Sequence, residues 1–128
     1  MTNRKNISTG AKWEDIVGYS RAVLVDNQIE ISGTVAVDDS GNVVGKDDLY
    51  QQTQFILKKI EWVLNDAGFS MSDVIRTRIY VTDISQWEQV GKAHGEVFSS
   101  IKPATSMVEV SGLISPEYLV EIEVSAKK

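Results

Sequence analysis

Alternation of apolar and polar positions begins at Tyr19. The run YSRAVLV (Tyr19 to Val25) predicts a strand, Asp26-Asn27 a turn, and QIEISGT (Gln28 to Thr34) the returning strand of a hairpin. In the second strand Ile29 and Ile31 face one way, and Gln28, Glu30 and Ser32 the other. After a turn-rich stretch, DDSGN (Asp38 to Asn42), the period changes. Leu49, Thr53, Ile56, Ile60, Val63 and Ala67, flanked by Leu57 and Leu64, recur at helical spacing. They predict a long amphipathic helix, with Asp48 and Gln51 as a capping box at its start and Gly68 as its stop.

VIRTRIYVT (Val74 to Thr82) returns to alternation, with Ile75, Thr77, Ile79 and Val81 on one face and Arg76, Arg78 and Tyr80 on the other. Ser85 with Glu88 marks a second helix, whose stripe is Trp87, Val90, His94, Val97 and Ile101, with Phe98 beside it and Pro103 at its end. ATSMVEV (Ala104 to Val110) and YLVEIEV (Tyr118 to Val124) predict the last two strands. Residues 1–17 are polar and are expected to be irregular, docked through Trp13, Ile16 and Val17. The order β-β-α-β-α-β-β predicts an α+β fold in which both helices cover one face of a sheet.

The uncovered face then carries Glu30, Glu121 and Glu123 together with Arg76 and Arg78. Such a face is either solvated or closed by other subunits, in which case its charges must pair.

Composition narrows the chemistry. A chain of 128 residues builds one domain. It has no cysteine, which removes disulfides, thiolate catalysis and cysteine-based zinc sites. His94 is the single histidine, so a multi-histidine metal site is impossible, and its place on an apolar stripe suggests a packed, hydrogen-bonded ring. Trp13, Trp62 and Trp87 are expected to be packing or interface residues. The net charge of −5, without a basic cluster, makes nucleic acid an unlikely partner, because binding phosphates needs lysine and arginine to replace counterions. No apolar run suits a membrane span and the first ten residues carry no apolar stretch, so a cytoplasmic location is expected.

From about Gly18 to Ala126 the chain resembles the RidA/YjgF family of reactive-intermediate deaminases. The resemblance rests on YSRAV (Tyr19 to Val23), NQIEISGT (Asn27 to Thr34), VLNDAG (Val63 to Gly68), DVIRTRIYVTD (Asp73 to Asp83) and PATSMVEV…LVEIEVSA (Pro103 to Val110, Leu119 to Ala126). It implies a chorismate-mutase-like α+β fold and a homotrimer. It also implies clefts between subunits that take a small polar metabolite, and no cofactor. Members that are deaminases hydrolyse imines and enamines. Carried over position by position, Glu121 orients the water, Tyr19 lines the cleft, and the backbone of Gly33 borders the ligand. Met107 stands where many members carry cysteine.

One departure matters most. The family's arginine in P-A-R-S, which grips the substrate carboxylate, is Thr105 here. Hydrogen bonds to charged groups contribute roughly 1.5–3 kcal/mol, so action on 2-imino acids is expected to drop by about one to two powers of ten. Arg78 is a candidate replacement cation; alternatively it pairs with Glu30, Glu109, Glu121 or Glu123. Glu109 and Glu121 are a candidate carboxylate pair, unless Glu109 is structural. Two functional classes follow. One is a deaminase-like hydrolase acting on an imine or enamine other than the usual 2-imino acids; the other is a non-catalytic ligand-binding or regulatory trimer. The ribonuclease activity ascribed to some relatives is disfavoured by the acidic balance.

Overall fold

In the computed structural model, which describes residues 3–128, the alternating segments pair into one six-stranded sheet and the two long helical stripes pack on one of its faces. In chain order the elements are β1 (Arg4–Ile7), α1 (Lys12–Val17), β2 (Ala22–Val25), β3 (Gln28–Thr34), α2 (Leu49–Asp66), β4 (Val74–Val81), α3 (Trp87–Phe98), β5 (Ala104–Glu109) and β6 (Val120–Lys127). The sheet order is β1-β2-β3-β6-β4-β5. All neighbours are antiparallel except β4 and β5, whose parallel pairing needs a crossover, and α3 supplies it. The fold class is the α+β class predicted, with two further elements at the N-terminal end.

Those two elements correct the expected irregular segment; residues 1 and 2 lie outside the described residues. β1 is an edge strand whose polar sequence, RKNI, suits an edge, and it pairs Arg4 to Val25 and Ile7 to Ala22. The expected anchors are exposed: Trp13, Ile16 and Val17 all face outward. Glu14 is the anchor instead. It is buried, and its carboxylate accepts hydrogen bonds from the hydroxyls of Ser8 (2.7 Å) and Thr9 (2.6 Å) and from the Thr9 amide (3.3 Å).

α2 follows its sequence signals. The Asp48 carboxylate accepts from the Gln51 amide at 3.0 Å, and Gly68 adopts φ 83° just past the last turn, where a side chain would be strained. Ile56, Ile60 and Leu64 are fully buried against Ile29, Ile79, Ile122 and Val124 of the sheet, each contributing about 1.5–3 kcal/mol. α3 begins differently from the prediction. Asp83, rather than a Ser85–Glu88 box, receives the Ser85 amide (3.0 Å) and hydroxyl (2.6 Å), and a 3-10 turn over Ile84–Gln86 leads into the helix. Trp87 consequently falls outside the buried stripe, which is Val90, Ala93 and Phe98. Trp13, Trp62 and Trp87 are all exposed, so none is a packing residue of this chain's core.

β4 departs from strict alternation once. A register irregularity against β6 between Val74 and Arg76 turns Ile75, expected inside, out to solvent. Beyond it Thr77, Ile79 and Val81 are buried as expected.

Candidate functional site

The site begins with an irregularity in β3. Ile31 pairs with Val124 and Thr34 with Ile122, so three steps along β3 match two along β6. The extra residue brings Gly33 against Glu121 on the face away from α2 and α3. A Cβ built on Gly33 would stand 2.6 Å from Glu121 Oε2, so only glycine leaves room for the carboxylate where it lies. Glu121 is half-buried. Burial, with a smaller push from Glu123, raises its carboxyl above the usual glutamate range, against the opposing pull of Arg21.

Arg21 is a residue that sequence reasoning missed. Its Nη2 donates to the Gly33 carbonyl at 2.8 Å, and its guanidinium lies 5.9 Å from the centre of the Tyr19 ring. Its Nε is buried without a partner. Tyr19 is partly exposed and is held from behind, its amide donating to the Glu14 carbonyl at 3.0 Å. Tyr19, Arg21, Gly33 and Glu121 thus form one cluster, joining a cation, a carboxylate and a phenol. Arg21 lies within the YSRAV run that carries the resemblance, but the run alone gives it no role, because its partner, the Gly33 carbonyl, is brought to it by the fold.

Thr105 and Met107 belong to a second cluster. They pair with Thr77 and Ile79 in the β4–β5 register, which places them on the helix-covered face. Met107 packs on the core, while Thr105 is exposed. The Thr105 hydroxyl lies 2.7 Å from that of buried Thr77, which in turn lies 3.0 Å from His94 Nε2. His94 is half-buried, its ring centre 4.6 Å from that of Phe98 and tilted 41° to it, and burial lowers its pKa. Within one chain the two clusters sit on opposite faces of the sheet, with β4 between β5 and β6.

Other charges find structural places. Glu109 accepts the Ile84 amide at 3.0 Å and lies on the face opposite Glu121, so within one chain the two do not form a carboxylate pair. On the uncovered face Tyr80 donates to Glu123 and the Ser125 hydroxyl to Glu30, both at 2.6 Å. Arg78 is exposed on that face. Among the described residues the one ion pair is Lys46–Glu117, so Arg78 pairs with none of the four glutamates within the chain. A groove of about 950 Å³ runs between α2 and residues 37–39 and carries Arg21, Lys59 and Trp62, but neither Glu121 nor Thr105 lines it. No group of metal-ligating side chains is present among the described residues, and no helix in them is long and apolar enough to cross a membrane.

Comparison with known proteins places this geometry. The family model Endoribonuclease L-PSP matches residues 9–128. A RutC family protein of Pyrococcus horikoshii is 34% identical over 110 residues, 86% of each chain. An uncharacterized protein of Streptomyces coelicolor is 32% identical over 123 residues, 95% of this chain and 90% of its own. Among solved structures, a Mycobacterium tuberculosis member of the YjgF/YER057c/UK114 family is 45% identical with TM-score 0.89, covering 98% of this chain and 100% of its own. A Yersinia pestis protein of unknown function from the conserved Rid family is 34% identical with TM-score 0.87, again covering 98% and 100%.

Proposed function

Because the chain belongs to the Endoribonuclease L-PSP (RidA/YjgF) family, we propose that it assembles as a homotrimer and hydrolyses an imine or enamine metabolite, other than the usual 2-imino acids, in clefts between subunits. The observation that carries this is Glu121, a half-buried carboxylate lying on Gly33 beside Arg21 and Tyr19. A second copy supplying β5 would bring Thr105 and Met107 to the Tyr19–Glu121 cluster, which one chain cannot do across its own sheet.

The chemistry asks little of the protein. A protonated imine carbon is already electrophilic. Water adds to it while Glu121 accepts the water's hydrogen bond and then its proton. Glu121 returns that proton to the carbinolamine nitrogen; the C–N bond then breaks and the hydroxyl gives its proton to the departing ammonia, leaving the carbonyl product, an ammonium ion and an ionised Glu121. The rate gain comes from holding water and carbon in line. Thr105 offers no cation for a carboxylate, which turns the cleft from 2-imino acids toward uncharged or otherwise charged substrates. The net charge of −5 weighs against an RNA substrate.

The test generates 2-iminopropanoate with an amino-acid oxidase, adds a neutral imine in parallel, and traps what remains with semicarbazide. The expected result is hydrolysis of the neutral imine, lost in Glu121→Ala. Weak action on 2-iminopropanoate is expected to rise about ten- to hundredfold in Thr105→Arg. Wild-type action on 2-iminopropanoate equal to that of an arginine-bearing relative would refute the substrate assignment. A second reading, a non-catalytic ligand-binding trimer, is favoured by the engagement of the Thr105 hydroxyl with Thr77 and Pro103. Inactivity of both proteins on every imine would decide for it.

A further inference from the structure

Three side chains are linked in a row behind the exposed edge of β5. Thr105 Oγ1 lies 2.7 Å from Thr77 Oγ1, and Thr77 Oγ1 lies 3.0 Å from His94 Nε2. Thr105 Oγ1 also lies 3.1 Å from the Pro103 carbonyl oxygen, which can only accept. Each hydroxyl has a single proton to give, and a neutral imidazole nitrogen either donates or accepts. That limits the arrangements.

If His94 donates from Nε2, Thr77 accepts from it, and either Thr77 donates to Thr105, whose proton then goes to the Pro103 carbonyl, or Thr105 donates to Thr77 as well. If His94 Nε2 is bare, Thr77 donates to it and Thr105 must donate to Thr77. A pair of oxygens 2.7 Å apart with no proton between them is repulsive, so Thr77 cannot serve His94 while Thr105 serves Pro103. In each of these arrangements the Thr105 proton is turned inward, and the hydroxyl shows the outside a lone pair. An outward proton would forfeit the bond to Thr77 or Pro103. Within the chain Arg76, beside Thr77 in sequence, does not reverse this polarity, because it lies on the opposite face and donates to Ser106 at 2.9 Å.

We propose that Thr105 is a hydrogen-bond acceptor held in that sense by Thr77 and His94, and that the group the cleft receives at β5 is an N–H or O–H donor, such as a carboxamide, an alcohol or an ammonium, rather than a carboxylate. This rests on the reading that Thr105 lines the ligand cleft. Thr77 and His94 are positioning residues: they touch no ligand and act through the Thr105 hydroxyl. Thr105 stands in the place of the family's arginine. Its anion grip has given way to a site of opposite hydrogen-bonding sense.

Pyruvamide and pyruvate test it, because they match in size and differ in carrying NH₂ or O⁻ at one end. Binding to the intact, assembled protein is followed by NMR. Wild type is expected to hold pyruvamide about tenfold or more tightly than pyruvate. Thr77→Val keeps the shape but removes the partner that orients the Thr105 hydroxyl, leaving its proton held only by the longer 3.1 Å bond to the Pro103 carbonyl, which a ligand acceptor can displace, and the preference is expected to fall to within about threefold. Thr77→Ser restores the hydroxyl and the preference, which a merely structural role for Thr77 would not predict. Thr105→Arg is expected to invert the preference. Tighter binding of pyruvate by wild type, a preference unchanged in Thr77→Val, or binding of neither probe overturns the proposal. The two readings fail separately: loss of imine hydrolysis leaves the pyruvamide preference standing, and an inverted preference leaves hydrolysis of neutral imines standing.

Discussion

The Glu121 carboxylate occupies the space that a side chain on Gly33 would fill, with Oε2 only 2.6 Å and Cδ 2.8 Å from the place of a Cβ. The bulge in β3 brings the two together, and glycine makes the approach possible. Both partners sit within the sheet, so the carboxylate is held by paired strands rather than by a loop.

Gly33→Ala tests that relationship. The methyl meets the free end of a flexible side chain, not backbone, so Glu121 swings aside and stability changes by less than about 1 kcal/mol. If Glu121 orients the water as proposed, a displacement of about 1 Å is expected to cost on the order of a hundredfold in rate. The semicarbazide assay and a thermal melt on the same preparation check both halves; full activity in Gly33→Ala would separate Glu121's position from function.

Glu123→Gln addresses the charge on Glu121. Burial raises the Glu121 carboxyl, and the Glu123 carboxylate raises it further. On the proposed mechanism, hydrolysis needs the ionised form and is expected to rise with pH at a higher value than an ordinary glutamate would give. Removing the Glu123 charge, while keeping an acceptor for the Tyr80 hydroxyl, moves that rise toward acid. The pH profile of neutral-imine hydrolysis measures it, and an unmoved midpoint would contradict the coupling.

Glu14→Ala releases the N-terminal segment. Burial alone would raise the Glu14 carboxyl, but hydrogen bonds from Thr9 and Ser8 outweigh it and hold the group below the usual range. A carboxyl depressed in the fold stabilises above the ordinary glutamate pKa and ceases to as pH falls through its lowered value. The substitution should cost about 2–3 kcal/mol at neutral pH and speed hydrogen exchange across residues 4–17. Because the Tyr19 amide hangs on the Glu14 carbonyl, the change also loosens one wall of the Tyr19–Glu121 cluster.

His94 gives the fold an acid sensitivity. Burial lowers its pKa, so the unfolded chain binds its proton more readily than the folded one. The stabilisation from the neutral ring is full above the ordinary histidine pKa of about 6.5 and is lost as pH falls. The melting temperature should decline from about pH 7.5 to 5.5 more steeply in wild type than in His94→Gln, in which nothing titrates at this position.

Legibility tracked how locally each feature is decided. The β2–β3 hairpin and α2 were plain because their signals, Asp26-Asn27, the Asp48 cap and the stripe from Leu49 to Leu64, lie within a few residues of one another. β1 and α1 were hidden because their support is remote or polar: RKNI is a strand only through β2, and α1 has no side-chain cap and is held by Glu14. Ile75 was misplaced because a bulge is invisible to alternation. The resemblance singled out Tyr19, Gly33 and Glu121, which the structure brings together, whereas Arg21 entered by tertiary closure alone. Arg78 attracted attention through its charge, yet lies exposed and unpaired on the uncovered face among the described residues.

β6 joins β3 to β4 although it is the last strand in the chain. During synthesis the ribosome must therefore release the chain through β6 before the hairpin half and the crossover half can be stitched into one sheet. Until then two ladders stand open at what will be the middle of the molecule. A message cut short before codon 120 would yield a product with two adhesive flanks and no way to close them, one destined for chaperones or proteases rather than for a weakened version of the same protein.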